Sequence, residues 1–519
     1  MKLNLEQYRD QVRGCWIGKN IGGVLGAPYE CLRQVNRVDF YSQDLSMGPP
    51  ANDDLDLQIV WLAAVEKYGR RVNASILGEY WLSYIIPNWV EYGSGKANLR
   101  AGLVPPLSGE VENVYKNSNG CFIRSEIWAC LAPGHPEIAV RYAYEDACVD
   151  HAGEGMYGEI FFAAVQSAAF VEKDYRKLIS IGLSYIPKDS AMNLAIHTAI
   201  QCYEQGIDIL EARKRIHAVA PGTFGIQGKR FKELQMDGDN EGMELGRPGF
   251  DAPENVAFTV AAWLYGEGDF EKSVVLANML GEDTDCTAAT LGATLGIMLG
   301  AKALPEKWTA PLDDKIVTMC IDLTSKGVWT PKTATELTER VIRVMPMFLG
   351  VDLCDILGAE GMEIICREGE ALYCPNEPEF MYQLNSHCID EEIPLTKLIS
   401  QGAYVVGYDF PAMHVYVDYL DSIFFEKEKI RKLKVRVTNA FYLNEQQWVN
   451  IRIHVPDGVE LLSPSALELP LNNLSGSCAE TEIELQADQY QQGRLELLIE
   501  CSLLGRHSKG IVPVVLKRR

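Results

Sequence analysis

Residues 14–26 of the chain read GCWIGKNIGGVLG and place a glycine at every fourth position of a predicted helix. A second ladder with the same spacing occurs further along the chain. The two ladders are Gly14, Gly18, Gly22 and Gly26, and Gly292, Gly296 and Gly300. Glycine costs about 1 kcal/mol relative to alanine inside a helix, so a row on one face indicates that another backbone approaches closely there. Tight helix packing is sufficient to explain the glycines, because they carry no functional group.

The pattern around these ladders predicts two kinds of domain. From Leu5 to about Met347, apolar residues recur at spacings of three and four, which is typical of helices. Later segments such as residues 432–438 and 449–455 alternate polar and apolar residues, which predicts strands at the spacing of a sandwich. We therefore expect a multidomain fold with three parts. These are an all-α helical catalytic domain at residues 1–347, a connector of mixed structure at 348–400, and an Ig-like accessory β-sandwich at 401–519.

Composition and charge reduce the classes of function that we expect for the chain. The chain has 519 residues, more than one hydrophobic core usually supports, and a net charge of -23, which repels nucleic acid. The longest uncharged helical stretch, 286–301, is too short and glycine-rich for a membrane span, and the first residues show no secretory signal. The 14 cysteines lack CxxC spacing, which favours reduced thiols. We expect a cytoplasmic enzyme without nucleic-acid or membrane partners, and an oligomer is left open.

Two clusters of acids stand at predicted helix starts. Residues 52–54, Asn-Asp-Asp, follow a Gly-Pro-Pro run, and residues 281–286, Gly-Glu-Asp-Thr-Asp-Cys, open the helix of the second glycine ladder. A lone aspartate at such a place is explained by helix capping. Several carboxylates together are costly to ionise, and a divalent cation with oxygen ligands would offset that cost. Spacing alone leaves open whether the clusters meet in space.

These segments resemble the ADP-ribosylglycohydrolase family, which includes dinitrogenase-reductase-activating glycohydrolase and J-crystallin. Residues 14–30 look like its opening helix, residues 52–54 like its first metal motif (usually Thr/Ser-Asp-Asp), and residues 281–286 like its second (usually Gly-Gly-Asp-Thr-Asp-Thr). The similarity continues through residues 119–124, 150–158 and 253–255 and covers about the first 345 residues. The resemblance implies an all-α domain whose cleft holds two Mg²⁺ ions, with Mn²⁺ as an alternative, and which cleaves the bond between ADP-ribose and its acceptor.

The resemblance also implies roles for individual residues. The implied metal ligands are Asn52, Asp53, Asp54, Asp283, Asp285 and Cys286. Glu30 stands where several relatives place a catalytic glutamate, and Asp54 and Asp283 are assigned to catalysis with it. The implied substrate contacts are Asn119, Arg124, His151, Gly153, Glu154 and Gly155. For His151 a structural role is an equal alternative, and Asn119 and Arg124 could instead order a loop.

Three positions depart from the family pattern. Gly23 stands where the family usually has Asp, and Asn52 and Cys286 stand where it usually has hydroxyl ligands. Asn52 can still offer a carbonyl oxygen, whereas a cysteine sulfur is a poor ligand for Mg²⁺. The site would then lose one ligand, take a water molecule, or recruit Thr287.

Three hypotheses for function follow. The leading one is a Mg²⁺-dependent glycoside hydrolase that cleaves an N- or O-linked ADP-ribosyl bond, on a small molecule or a protein, by attack of an oriented water at the anomeric carbon. The second keeps the metal site but changes the substrate to another nucleoside or sugar glycoside. The third is a non-catalytic protein, J-crystallin-like, that binds ADP-ribose or sugar or is structural. No metal or catalytic residue is expected in the sandwich, whose fold alone does not choose among binding, dimerisation and lid roles.

Overall fold

The computed structural model of the chain describes residues 1–30, 32–220, 250–322, 328–358, 361–391, 402–410, 412–439, 447–472, 478–505 and 509–519. Two compact units divide the chain, Met1–Cys388 and Ile389–Arg519. The first is largely helical and the second is built from strands, which confirms the predicted fold class. Within the described residues, none of the helices combines the length and apolar character needed to cross a membrane.

Seventeen α-helices lie within the described ranges. They are α1 (Leu5–Gly26), α2 (Asp56–Tyr68), α3 (Ala74–Tyr84), α4 (Val90–Arg100), α5 (Leu107–Glu110), α6 (Glu126–Leu131), α7 (Pro136–Ala147), α8 (Glu154–Ala169), α9 (Tyr175–Ser184), α10 (Ala191–Glu204), α11 (Ile209–Val219), α12 (Ala252–Tyr265), α13 (Phe270–Met279), α14 (Thr284–Leu299), α15 (Glu306–Thr309), α16 (Ala334–Leu349) and α17 (Glu377–Glu391). Several of these helices begin with a side-chain cap at the N-terminus. The Asn4 side chain, for example, accepts a hydrogen bond from the backbone N–H of Gln7 at the start of α1.

The glycine ladders are the contact between α1 and α14. A Cβ atom added at Gly14 would collide with the carbonyl oxygen of Gly296, and one added at Gly26 would collide with that of Thr284. The two helices therefore run antiparallel with their backbones in contact, as the ladder spacing predicted. This pairing brings the C-terminal end of α1 against the start of α14, where the second acidic cluster lies.

Large aromatic side chains fill the helical core. Six tryptophans are fully buried there: Trp16, Trp61, Trp81, Trp128, Trp263 and Trp308. Burying side chains of this size contributes roughly 2–3 kcal/mol each, before the cost of ordering them. The framework around the site is thus held by packing rather than by the polar residues of the site.

The segment predicted as a connector is divided by the structure. Residues 348–388 belong to the first unit, where Cys354, Ile364 and Leu372 are part of the helical core. A strand at the beginning of the chain, Lys2–Asn4, pairs with Glu363–Ile365. Pairing over more than 350 residues leaves no local pattern, so the sequence could not indicate it. Residues 389–391 fall in the second unit, and the rest of the predicted connector, residues 392–400, lies outside the described residues.

The strands form three sheets. Within the described ranges they are β1 (Lys2–Asn4), β2 (Cys354–Asp355), β3 (Glu363–Ile365), β4 (Val405–Phe410), β5 (Met413–Asp418), β6 (Phe424–Phe425), β7 (Arg431–Asn439), β8 (Gln447–His454), β9 (Glu460–Leu461), β10 (Ala466–Leu471), β11 (Cys478–Gln486), β12 (Arg494–Leu503) and β13 (Lys509–Arg518). The small sheet has the order β1-β3-β2, and the second unit has two five-stranded sheets, β10-β8-β12-β13-β6 and β4-β5-β7-β11-β9.

The two larger sheets share one apolar core. In β7, for example, Leu433, Val435 and Val437 are buried, while Lys434 and Arg436 between them lie on the more exposed face. This alternation is what a sheet with one buried face requires. The predicted strand-rich sandwich is therefore confirmed.

Candidate metal centre and active site

The first acidic cluster is a turn that precedes α2. The Oδ1 atom of Asn52 accepts a hydrogen bond of 2.7 Å from the backbone N–H of Asp54, which shapes the turn. The Tyr92 hydroxyl donates to Oδ2 of Asp53 over 3.3 Å. Asp54 is only 4% exposed, and neither of its carboxylate oxygens has a hydrogen-bond partner. Asp56, the next acid, accepts from backbone N–H groups of residues 319 and 320 and so anchors a loop instead.

The second acidic cluster is the first turn of α14. The Thr284 hydroxyl donates to the Gly26 carbonyl over 2.8 Å and ties this turn to the end of α1. Asn119 donates to Oδ2 of Asp283 over 2.8 Å, while Oδ1 of Asp283 is buried without a partner. Three residues, Asp283, Asp285 and Cys286, each offer one potential ligand atom, and these three atoms lie within 4.8 Å of one another. This spacing is compatible with a shared cation.

Both clusters meet at one cavity of about 430 Å³. The predicted residues that line it are Glu30, Asn52, Asp53, Asn119, Asp283, Asp285 and Cys286. Asp54 does not line this cavity, but the charges of Asp53 and Asp283 are close enough to raise its pKa. Five of the six residues that the resemblance implied as metal ligands therefore line one cavity, and the sixth, Asp54, lies next to them. The volume falls in the range of roughly 300–1,000 Å³ that is usual for small-molecule sites.

The four aspartates carry more negative charge than the protein around them neutralises. The pKa of Asp54 is raised to about 7, because burial and then the neighbouring acids raise it by more than Lys19 lowers it. The pKa of Asp285 is held well above its usual range by burial and then by Glu30 and Asp283. Lys19 itself is fully buried and bonded to Glu126 over 2.9 Å. A cation bound by these oxygens would relieve the repulsion, and the unpartnered oxygens of Asp54 and Asp283 fit such an ion.

The three departures from the family pattern can now be located. A Cβ atom on Gly23 would lie 2.8 Å from both Nδ2 of Asn52 and Oδ2 of Asp54, so two of the departures are in direct contact. Asn52 packs over the face that Gly23 leaves open. Burial and then Asp283 raise the pKa of the Cys286 thiol well above its usual range, which keeps it neutral and a weak ligand. Thr287 donates to the Thr284 carbonyl within its own helix, so its hydroxyl is already engaged.

Two glutamates face the same cavity. Glu30 lies just beyond the end of α1, is exposed, and raises the pKa of Asp285 by its charge. Glu91, in the first turn of α4, is 4% exposed, and burial raises its pKa to about 7. It packs directly against Gly120, where an added Cβ would collide with Oε1 of Glu91. Sequence reasoning missed Glu91, because an acid in the first turn of a helix is common and nothing local distinguished it.

Arg124 does not reach the cavity. Its Nε atom donates to Oδ1 of Asp146 over 2.9 Å, and its two terminal nitrogens pair with Asp150 over 2.5 and 3.1 Å. Burial by itself would raise the pKa of Asp150, but Arg124 and then His151 hold it at about 2. The guanidinium is therefore committed to interior carboxylates, and its assignment as a substrate contact stays a prediction.

None of the residues of the glycine-punctuated segment 151–155 lines the cavity either. His151 is fully buried, with Nε2 at 2.9 Å from the Ser118 hydroxyl. Both carboxylate oxygens of Glu154 accept backbone N–H groups at the start of α10. Gly153 has a φ of +51°, and Gly155 packs against the Lys116 carbonyl. These contacts give the segment a structural role, and ligand contact by its residues stays a prediction.

A family model described as ADP-ribosylglycohydrolase matches residues 4–345. No curated protein matches the chain. Among solved structures, the search returns Pseudomonas fluorescens alkylpurine DNA glycosylase AlkC bound to DNA containing an abasic site analog. That match is 9% identical, covers 76% of this chain and 99% of that chain, and has a TM-score of 0.14. A TM-score this low does not indicate a common fold.

Proposed function

The chain belongs to the ADP-ribosylglycohydrolase family, and we propose that it hydrolyses the glycosidic bond of an ADP-ribosyl group with the help of bound Mg²⁺. One observation carries the proposal. Both acidic motifs, which are about 230 residues apart in the sequence, converge on a single cavity that also contains Glu30 and Glu91. A cavity with oxygen ligands and two further carboxyl groups suits hydrolysis at an anomeric carbon.

The aspartates would hold the cation. Asp53, Asp54, Asp283 and Asp285 are the ligands, and two neutral groups orient them: Tyr92 donates to Asp53, and Asn119 donates to Asp283. When bound, Mg²⁺ supplies positive charge that orients the hydroxyls of the ribose and offsets the negative field of the protein. Mn²⁺ accepts the same ligands and would serve as a substitute. The Cys286 position is expected to contribute little to Mg²⁺ binding.

The two glutamates would divide the acid and base work. Glu91, whose pKa burial raises to about 7, holds a proton near neutral pH and can donate it to a leaving group. Glu30 is exposed at the cavity, and its carboxylate is suited to position the attacking water. Positive charge that develops on the sugar ring would be stabilised by the surrounding carboxylates.

A substrate panel tests the proposal. Peptides ADP-ribosylated on arginine and on serine are incubated with the protein in the presence of Mg²⁺, Mn²⁺ or a chelator. We expect release of ADP-ribose that needs the metal, and a loss of about 10²–10⁴-fold in kcat for Glu30→Gln. Glu370→Gln is the matched control, because Glu370 is an exposed acid of the same unit. Absence of turnover on every ADP-ribosyl compound would contradict the proposal.

One observation favours a second candidate, a neutral nucleoside or sugar glycoside as substrate. Among the described residues that line the cavity there is no Lys, Arg or His to meet a diphosphate. Aromatic side chains, Trp89, Tyr92 and Phe250, form part of the wall and would suit a base or sugar ring. Aryl glycosides and unphosphorylated nucleosides in the same panel distinguish the two substrates. Binding of ADP-ribose without any hydrolysis would instead favour a non-catalytic protein.

A further inference from the structure

One of the potential metal ligands at the cavity is a sulfur atom. Asp283, Asp285 and Cys286 each offer one ligand atom, and these atoms lie within 4.8 Å of one another. Asp283 is the N-cap of α14 and the other two residues are in its first turn, so a single helix presents all three. Within the described residues, no other group of three or more His, Cys, Asp or Glu side chains is placed to hold a metal ion.

Asp283 and Cys286 keep atoms that are available to a cation. Asp283 is 4% exposed, and its Oδ1 atom is buried without a hydrogen-bond partner. Cys286 is 9% exposed and lines the cavity. Among the described residues, the thiol of Cys121 donates to the Gly155 carbonyl over 2.8 Å, whereas no such bond is found for the thiol of Cys286. A buried carboxylate oxygen and a thiol are thus left for a ligand of the cavity to use.

The combination of two carboxylates with one thiol suits a softer cation than Mg²⁺. Mg²⁺ prefers oxygen ligands, whereas Zn²⁺ binds cysteine sulfur together with carboxylate oxygens. Zn–S bonds of about 2.3 Å and Zn–O bonds of about 2.0–2.2 Å put the ligand atoms of one ion about 3–4 Å apart. Small side-chain rotations would bring the three atoms to that spacing. Three protein ligands beside an open cavity leave a further position for water or substrate.

We propose that Asp283, Asp285 and Cys286 form a site for a thiol-binding divalent cation of the Zn²⁺ type, which competes with Mg²⁺ for the cavity. On binding, the S–H bond of Cys286 breaks, an S–metal bond forms and the proton passes to solvent, with no change of oxidation state. Mg²⁺ gains little from sulfur and leaves the thiol protonated. The competition with Mg²⁺ rests on the proposed function, whereas the site with a sulfur ligand rests on the placement of the three side chains.

The sulfur ligand can be tested without a substrate. Cd²⁺ is the probe, because it binds thiolates as Zn²⁺ does and its bond to sulfur gives an ultraviolet charge-transfer band. The full chain is titrated with Cd²⁺ as wild type, Cys286→Ser and Cys478→Ser. We expect a saturable band in wild type and in Cys478→Ser but none in Cys286→Ser. Cys478 is the control because it is an exposed cysteine of β11, where adventitious Cd²⁺ would bind. No band in wild type, or a band that survives in Cys286→Ser or disappears in Cys478→Ser, would overturn the proposal.

A second variant tests the preference between cations. Cys286→Thr introduces the hydroxyl that the family usually has at this position, so an oxygen replaces the sulfur. Groups that merely orient a metal ligand contribute about 10–100-fold to affinity, so we expect the loss of a direct ligand to weaken Cd²⁺ binding by at least about tenfold. Mg²⁺ should bind more tightly to the same variant. Isothermal titration measures both affinities. A parallel fall in both would mean that the substitution only disturbs the cavity, and it would contradict the proposal.

Different results would remove this site and the proposed function. Mg²⁺-dependent hydrolysis of an ADP-ribosyl compound without a Cd²⁺ band that depends on Cys286 keeps the function and removes the sulfur site. The band without any hydrolysis keeps the site and removes the function. Zn²⁺ should also displace bound Mn²⁺, which is followed by the paramagnetic resonance signal of free Mn²⁺. Cys286→Thr should need at least about tenfold more Zn²⁺ for the same displacement, and equal displacement in both proteins would count against the sulfur ligand.

Discussion

The arginine cluster and the cavity cluster of buried acids in the helical unit differ in what neutralises them. The arginine cluster is Asp146, Asp150 and the guanidinium of Arg124 between them. The cavity cluster is Asp53, Asp54, Asp283 and Asp285. Where the protein supplies its own cation, the pKa of Asp150 is held at about 2 despite burial. In the cavity cluster the nearby cation, Lys19, is paired with Glu126, and burial and the neighbouring acids raise the pKa of Asp54 to about 7 in spite of it.

The difference indicates which cluster is built for stability and which for binding. Asp146 and Asp150 are paired with Arg124, whereas Asp54 and Asp283 keep buried oxygens without a hydrogen-bond partner. Buried carboxylates without partners are costly, so they are expected where an external cation completes the site.

The largest effect is expected from removing the internal cation. Arg124→Met leaves Asp146 and Asp150 buried without their partner, and we expect a loss of about 3–5 kcal/mol in the free energy of unfolding. Urea titration measures it. Arg215→Met is the control, because Arg215 makes an exposed pair with Glu211 on one helix and should change stability by less than about 0.5 kcal/mol. A loss below about 1 kcal/mol in Arg124→Met would mean that the guanidinium is not what stabilises this cluster.

The next effect is stabilisation by added metal. Mg²⁺ or Mn²⁺ at a hundred times its Kd should raise the free energy of unfolding by about 2.7 kcal/mol, because only the folded protein has the site. Asp54→Asn should abolish this response without unfolding the metal-free protein, since it removes one of several repelling charges. Asp313→Asn, which changes an acid at the surface, should keep the response. Equal stabilisation of all three proteins would place the metal elsewhere.

A smaller effect on stability and metal affinity distinguishes the packing of α1 against α14 from metal binding at the cavity. Gly26→Ala and Gly14→Ala each force a Cβ into the α14 backbone, and we expect each to cost about 1–3 kcal/mol. Only Gly26 lies against Asp285, so only Gly26→Ala should also weaken metal binding, by about tenfold. Isothermal titration with Mn²⁺ compares them. If both variants lose metal affinity equally, the effect comes from loosening the whole helix pair.

The smallest expected effect is on the pH dependence of the free energy of unfolding. The pKa of Glu91 is raised to about 7, so the folded protein binds its proton more tightly than the unfolded chain does. The stability it contributes is fully present below about pH 4.5 and is lost as the pH rises to about 7. Glu91→Gln should make the free energy of unfolding less dependent on pH in this window, as measured by urea titrations at several pH values. Asp150 has the opposite sign: its contribution is present above about pH 4 and is lost only as the pH falls towards 2.

The residues alone predicted the order of helical and strand-rich parts and the close approach at the glycine ladders, and they marked the two acidic clusters as candidates for a metal site. Helix and strand patterns repeat within a few residues, so they can be recognised before the fold is known. The resemblance added Glu30 and the expectation that the two acidic motifs would meet. The motifs are brought together because α1 and α14 pack antiparallel, with Gly14 against Gly296 at one end of the contact and Gly26 against Thr284 at the other.

Tertiary structure decided the rest. For Arg124 and His151 the sequence left ligand contact and a structural role both open, and helix packing places the two side chains beside Asp150 in the interior. Glu91 looked like an ordinary acid at a helix start until α4 packed its side chain against Gly120 at the cavity. A charged side chain acquires its role from the burial and the charges around it. Those are contributed by segments distant in the sequence, and only the folded chain brings them together.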